Sequence, residues 1–285
     1  MSKSTLAADV ILKSEDGVLF KIHQLILSEA SEFFRTMYSL PPGPKSSDPT
    51  PLSIDANSKV VAWALAIIYG KPYPPKLFDN TEKIDKLIAF CEKWSMHGVL
   101  MTVRCALQRP SLIHNHHTWL YRVACRQGWA EVADAVAMEC LNYDLGSSDA
   151  LEVFEPISLT DFRPLLALAR RRVNAFRDKL DDDSVFPASS PPFKCPRCDK
   201  DCEDRTWLVL RARLLEELQS CPGREGVKKI SIDMDGWPEW EACVSARHCD
   251  YDYDYGYDPY RLFDPSETKE KIIAALDDLP ESLSG

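Results

Sequence analysis

"KIHQLILSEASEFF", residues 21–34, changes its period halfway through, and that change decides how the N-terminal part folds. Upstream, "DVIL" (9–12) and "VLFKIH" (18–23) are rich in β-branched and aromatic residues. Asp16-Gly17 between them has the composition of a tight turn, so the pair reads as a β-hairpin. In its second strand Val18, Phe20 and Ile22 share one face. From His23 onward, Leu27, Ala30 and Phe34 recur at three- and four-residue spacing, so a helix begins near His23. Ser31 followed by Glu32 reads as an N-cap with an acid in the first turn, which splits the run into two short helices.

Working outward, "LPPGPKSSDPTP" (40–51) is a loop, because five prolines remove backbone donors and helical dihedrals. "LSID" (52–55) suits a short strand, and "NSKVVAWALAIIYG" (57–70) a helix with Val61, Leu65 and Ile68 on one stripe, stopped at Gly70. A capping box of Asp79 and Glu82 opens the next helix, with Ile84, Leu87, Ile88 and Cys91 inward. Another follows through Val99, Val103 and Leu107.

Residues 109–180 are helical throughout, with Leu120 and Ala124 leading to Gly128, then Val132, Val136 and Cys140. "SLTDFRPLLALARRRVNAFRDKL" (158–180) places Phe162, Leu166, Ala169, Val173 and Phe176 in register, with Pro164 in the first turn. Residues 181–194 carry charge, serine and proline and read as a linker. In 195–285 a helix over 204–219 turns Trp207, Leu214 and Leu218 inward. A last helix starts at Asp264, Pro265 and Glu267 and carries Ile272, Leu276 and Leu279, with turns between the two.

The composition, 45% apolar and 27% charged, is that of an ordinary folded chain. A net charge of −10 argues against a nucleic-acid partner, and Arg170-Arg171-Arg172 reads as a solvated helix face. With no signal-peptide h-region and no membrane-length apolar run, the expectation is a cytoplasmic or nuclear protein with reduced thiols and no membrane contact.

The wording of "ADVILKSEDGVLFKIHQLILSEASEFFRTMYSL" (8–40) resembles the opening of a BTB/POZ domain of the fungal type. The matching residues are Asp9, Val10, Phe20, His23, Ile26, Leu27, Ser31, Phe33, Phe34, Arg35 and Met37, and the likeness resumes at "PLSIDANSKVVAWALAIIYG" (51–70). It implies an α/β (α+β) interaction domain over 1–108, a small sheet with a helical cluster and no enzymatic activity. After it come the helical extension at 109–180, the linker at 181–194 and a cysteine-containing segment at 195–285. The implied structural motif is Asp9, Phe20, His23, Leu27, Ser31 and Phe34. Its implied partners are other proteins, including a cullin-type ubiquitin-ligase scaffold or transcriptional co-regulators, and a second copy of itself. The sequence departs from many relatives at Gln24, where a basic residue would face Asp9. Only eight residues precede Asp9, little for an exchanged N-terminal strand.

Candidate chemistry is sparse. His23 has no companion nucleophile in the sequence and reads as a packing residue, so no catalytic residue is expected. In "HNHH" (114–117), His114 and His117 share a helix face without further ligands. "DYDYDYGYD" (250–258) fails as a calcium loop, since Tyr255 stands where the turn needs glycine and Arg261 where the bidentate glutamate belongs. "CPRCDKDC" (195–202) is the one metal-like pattern: Cys195 and Cys198 have the spacing that grips a tetrahedral zinc. Cys202, Cys221, Cys243, His248 and Cys249 are the available further ligands. Either no cofactor or a structural zinc is therefore expected. The function implied is that of an adaptor or scaffold, with Met37 and Tyr38 as candidate contact residues. The alternative is a zinc-dependent regulator whose activity lies in the C-terminal Cys/His cluster.

Overall fold

In the computed structural model the hairpin is formed by β1 (Val10–Lys13) and β2 (Leu19–Ile22), antiparallel, with Leu12 opposite Phe20 and Val10 opposite Ile22. The residues described are 8–40, 50–72, 75–154, 157–186, 193–194, 201–202, 204–248 and 260–284. They form two units, 1–112 and 113–285. At the hairpin turn Gly17 has φ of +83°, a region open to glycine and strained for other residues. The neighbouring Asp16 does more than turn the chain. Its carboxylate accepts from the Ser14 hydroxyl (2.7 Å), the Ser58 hydroxyl (2.6 Å) and the Ser58 backbone N–H (2.9 Å). These bonds hold its pKa down at about 2, the Ser14 hydroxyl contributing most.

Two short helices follow, α1 (Gln24–Ala30) and α2 (Glu32–Ser39), divided at Ser31 as the cap signal requires. β3 (Leu52–Ser53) then pairs parallel with β1, giving the order β2-β1-β3. The helices α3 (Ser58–Ile68), α4 (Thr81–Lys93) and α5 (His97–Leu107) complete the first unit, and α6 (Pro110–Asn115) follows them. Leu12, Leu27, Phe34, Ala64, Ile84 and Val103 are each at most 1% exposed and form its core. Each of the larger side chains stabilises by roughly 1.5–3 kcal/mol. The cap of α4 is Asn80, one residue beyond the expected Asp79. Asn80 has the extended backbone a cap needs, and its side chain accepts from the Lys83 N–H, whereas Asp79 closes a 3₁₀ turn.

In the second unit α7 (His117–Gln127) and α8 (Ala130–Cys140) form an antiparallel pair, turned by Gly128 at φ +66°. After α9 (Ser148–Phe154) comes the 22-residue α10 (Leu159–Leu180). A two-stranded pair, β4 (Phe193–Lys194) and β5 (Asp201–Cys202), precedes α11 (Thr206–Ser220). Two further helices, α12 (Arg224–Asp233) and α13 (Pro238–Ser245), occupy the stretch expected to be turns. Pro238 starts α13 at a position where the missing N–H costs nothing, a signal present in the sequence. A second pair, β6 (Arg247–His248) with β7 (Tyr260–Arg261), and α14 (Pro265–Asp277) complete the unit. Among the described residues no helix is long and apolar enough to cross a membrane.

One core unites Phe176 and Leu180 of α10 with Trp207, Leu214, Ile230 and Ile272. Phe186, in the stretch that reads as a linker, is 2% exposed and stacks on Trp207 at 4.4 Å. The inward row of α10 contains Leu165 and Leu168 rather than the expected Leu166, which is 40% exposed. Arg172 also turns inward, contrary to the solvated face expected of the arginine run. Its Nε donates to the Pro222 carbonyl and its second guanidinium nitrogen to the Pro280 carbonyl, both at 2.6 Å, so its burial leaves those donors satisfied. Burial lowers its pKa, and Glu281 opposes that shift.

The loop between α11 and α12 closes onto the end of α8. The Gly223 N–H donates to the Leu141 carbonyl (2.9 Å), and the Glu225 N–H to Asn142 Oδ1 (3.1 Å). A Cβ at Gly226 would lie 1.7 Å from the Cys221 carbonyl oxygen, where only backbone movement relieves it. Gly226→Ala is therefore expected to cost about 2 kcal/mol or more by urea unfolding. Gly98→Ala, in open space, is expected to change stability by no more than about 1 kcal/mol. Asp16 gives a prediction in pH. Its pKa is depressed on folding, so its stabilisation is present above about pH 4 and disappears as pH falls towards 2. The stability difference between the native chain and Asp16→Ala, measured by denaturant titration, should be constant from pH 7 to 5 and shrink progressively below pH 4.

Candidate functional site

The residues of the opening motif meet where the hairpin passes into α1. His23 has extended backbone and no capping side chain of its own, so the first N–H groups of α1 need acceptors from elsewhere. Asp9 supplies one: its Oδ1 accepts from the Gln24 backbone N–H at 2.7 Å. A carboxylate at a helix N-terminus is favoured by the helix dipole, and this contact needs no basic side chain at position 24. The second acceptor is Tyr69, in the "IYG" that closes α3. Its hydroxyl oxygen lies 3.0 Å from both the His23 backbone N–H and the His23 Nδ1. His23 and Tyr69 thus tie the strand-to-helix corner to the end of α3.

Ser31 and Phe34 form the second half of the motif. The Ser31 hydroxyl accepts from the Phe34 N–H (3.2 Å) and donates to the Trp94 carbonyl (2.5 Å). Phe34 stacks on the Trp94 ring at 5.2 Å with the planes 8° apart, and Phe33 meets the same ring edge-on. Leu27 is buried beneath and Phe20 is half-buried on β2. Tyr69 and Trp94 carry as much of the arrangement as the quoted residues do. Trp94 stands 60 residues beyond Phe34 (94 − 34), and no local pattern pairs them.

Above this scaffold α1 leaves an apolar side uncovered. Leu25 is 65% exposed at the rim of a cleft of about 470 Å³ between α1, the end of α3 and α5, lined by Ile26, Ile67, Ile68 and Val99. Glu29 and Thr102 are its polar members. Leu19 (55%) and Leu40 (62%) are also exposed, while Met37 and Tyr38, the contacts expected from sequence, are half-buried. Burial raises the Tyr38 pKa, and Asp9 adds to it. Such a surface offers apolar area and rim polarity to a partner.

The other candidates divide. His117 sets Nδ1 3.0 Å from the His114 carbonyl and Nε2 3.2 Å from the Tyr143 hydroxyl, so both ring nitrogens are engaged. Of the thiol cluster, Cys195, Cys198 and Cys249 lie outside the described residues, as do the side chains of Cys202 and His248 and the segment "DYDYDYGYD". Cys221 is half-buried, with Sγ 3.5 Å from the Asn142 carbonyl. Cys243 is fully buried, which pushes its pKa up to about 12 and keeps the thiol protonated. Among the described residues no three His, Cys, Asp or Glu side chains are grouped to hold a metal.

The sequence profile of the BTB/POZ domain matches residues 1–111. A search of curated proteins returned no match. With its three-stranded sheet, its cluster of helices and that match together, the N-terminal unit is a BTB/POZ domain, a protein–protein interaction module.

Proposed function

We propose that the chain is a non-enzymatic adaptor or scaffold of the fungal BTB type, acting in the cytoplasm or nucleus. Its BTB/POZ domain contacts a cullin-type ubiquitin-ligase scaffold or transcriptional co-regulators and also pairs with a second copy. The observation that carries this is the cleft beside α1, where Leu25 stands 65% exposed over an apolar floor while the residues beneath it are locked by hydrogen bonds. A rigid scaffold under an exposed apolar anchor is what a protein partner needs. Affinity purification with mass spectrometry tests it. Leu25→Asp should reduce recovery of specific partners at least tenfold while leaving the unfolding free energy within about 0.5 kcal/mol of the native chain, as for a surface change. Equal recovery from both proteins would sink this surface as the contact.

One observation supports the zinc reading as a second function. β4 pairs with β5, so residues 195–200, with Cys195 and Cys198, connect two hydrogen-bonded strands, and β6 and β7 pair next to Cys249. The spacing of Cys195 and Cys198, between two paired strands, suits a tetrahedral thiolate site. Under this reading elemental analysis of purified protein finds close to one zinc per chain, lost in Cys195→Ser. Metal-free, cooperatively folding protein would remove it.

A further inference from the structure

α10 has two faces. Its inward row is buried, but along the adjoining side Leu159, Arg163, Leu166, Arg170 and Arg177 are all exposed, Leu159 to 74%, with Val173 of the core at the border between the two. With Val173 included their spacing is 4, 3, 4, 3, 4, the spacing of a coiled-coil seam. At about 100° per residue, all six fall within an arc of roughly 80°. One position of each repeat is apolar (Leu159, Leu166, Val173) and the other is arginine (163, 170, 177), with the arginines about 10 Å apart along the axis. At the C-terminal end the seam deepens into a cleft of about 280 Å³, where Val173 is the floor and Gln219 and Pro222 form the wall. Among the described residues neither Arg163 nor Arg170 forms an ion pair, and Arg177 donates only to Asn174 Oδ1. A row of three uncompensated cations is unexpected in a chain of net charge −10.

The geometry points to α10 as the docking face for an acidic amphipathic helix of a partner protein, one that repeats leucine and glutamate at the same three- and four-residue spacing. Leucines of the partner cover Leu159 and Leu166, and its glutamates meet the three arginines. A second copy of this face is disfavoured as the occupant by like charge, since either orientation would gather the arginines of both copies along one seam. A nucleic acid would match the cations but leave Leu159 and Leu166 in water. The face lies outside residues 1–111 and does not depend on the function proposed above.

The test uses the full chain and two fluorescein-labelled three-heptad peptides, with leucine at one seam position and either glutamate or lysine at the other. By fluorescence anisotropy at low salt, the glutamate peptide should bind at least tenfold more tightly than the lysine peptide, and the difference should fall as salt is raised. The triple variant R163E/R170E/R177E should reverse the preference, with its fold checked by circular dichroism. Should that variant not fold, Leu166→Asp gives a second reading, weakening the glutamate peptide at least tenfold. Four results would each overturn the proposal: equal affinity for the two peptides, no binding at millimolar peptide, a preference unchanged by substitution, or displacement of the peptide by mixed-sequence duplex DNA.

Discussion

The Ser31 hydroxyl carries the constraint on which the N-terminal unit depends. One oxygen starts α2 by accepting from Phe34 and fixes the end of α4 by donating to the Trp94 carbonyl. Ser31 is 1% exposed, so its loss would leave a buried acceptor and a buried N–H unmet. Because the hydroxyl sets where α4 ends, it also sets the Trp94 ring on which Phe34 stacks. The next residue, Ser95, is held at φ +51°, and its carbonyl accepts from the Glu32 N–H at 3.3 Å. A non-glycine residue in that region is sustained only where surrounding contacts over-determine it.

In the second unit Arg172 has the corresponding position. Its guanidinium joins α10 to the carbonyls of Pro222 and Pro280, two points far apart in sequence. Arg171 beside it donates to the Ser282 and Leu283 carbonyls, and the Leu283 N–H donates to Asp134. Adjacent arginines therefore bind the end of the chain, while Arg170 alone of the run faces solvent. That division makes α10 a helix with a structural face and a separate exposed one.

The fold of the first unit was largely legible in the sequence, because its signals are local. Asp16-Gly17 turns the hairpin, Ser31 breaks the helix, and the alternation from β1 to β2 gives the sheet its buried face. The second unit was legible only in part. α12 repeats Val227 and Ile230 at three-residue spacing, with Met234 four residues on, but α13 has little apolar period and is a helix chiefly because Trp240 and Cys243 find partners in a shared core. On α10 periodicity placed Phe162, Val173 and Phe176 inward, as they are, but between them it chose Leu166 where Leu165 and Leu168 are buried. At the site, Asp9, His23, Ser31 and Phe34 stood out as a motif and Tyr69 lay within the second quoted stretch, but Trp94, the partner of Phe34, did not stand out.

The sequence by itself determined the order of elements, the caps and turns, and the BTB/POZ pattern of the first unit, since each is specified within a few residues by backbone preference and period. Only the tertiary structure decided which carbonyls Arg172 would satisfy, which face of α10 would stay in water, and which hydroxyl would meet His23. Those outcomes depend on donors and acceptors brought together from distant points of the chain, and a buried polar group is tolerated only where such a partner arrives.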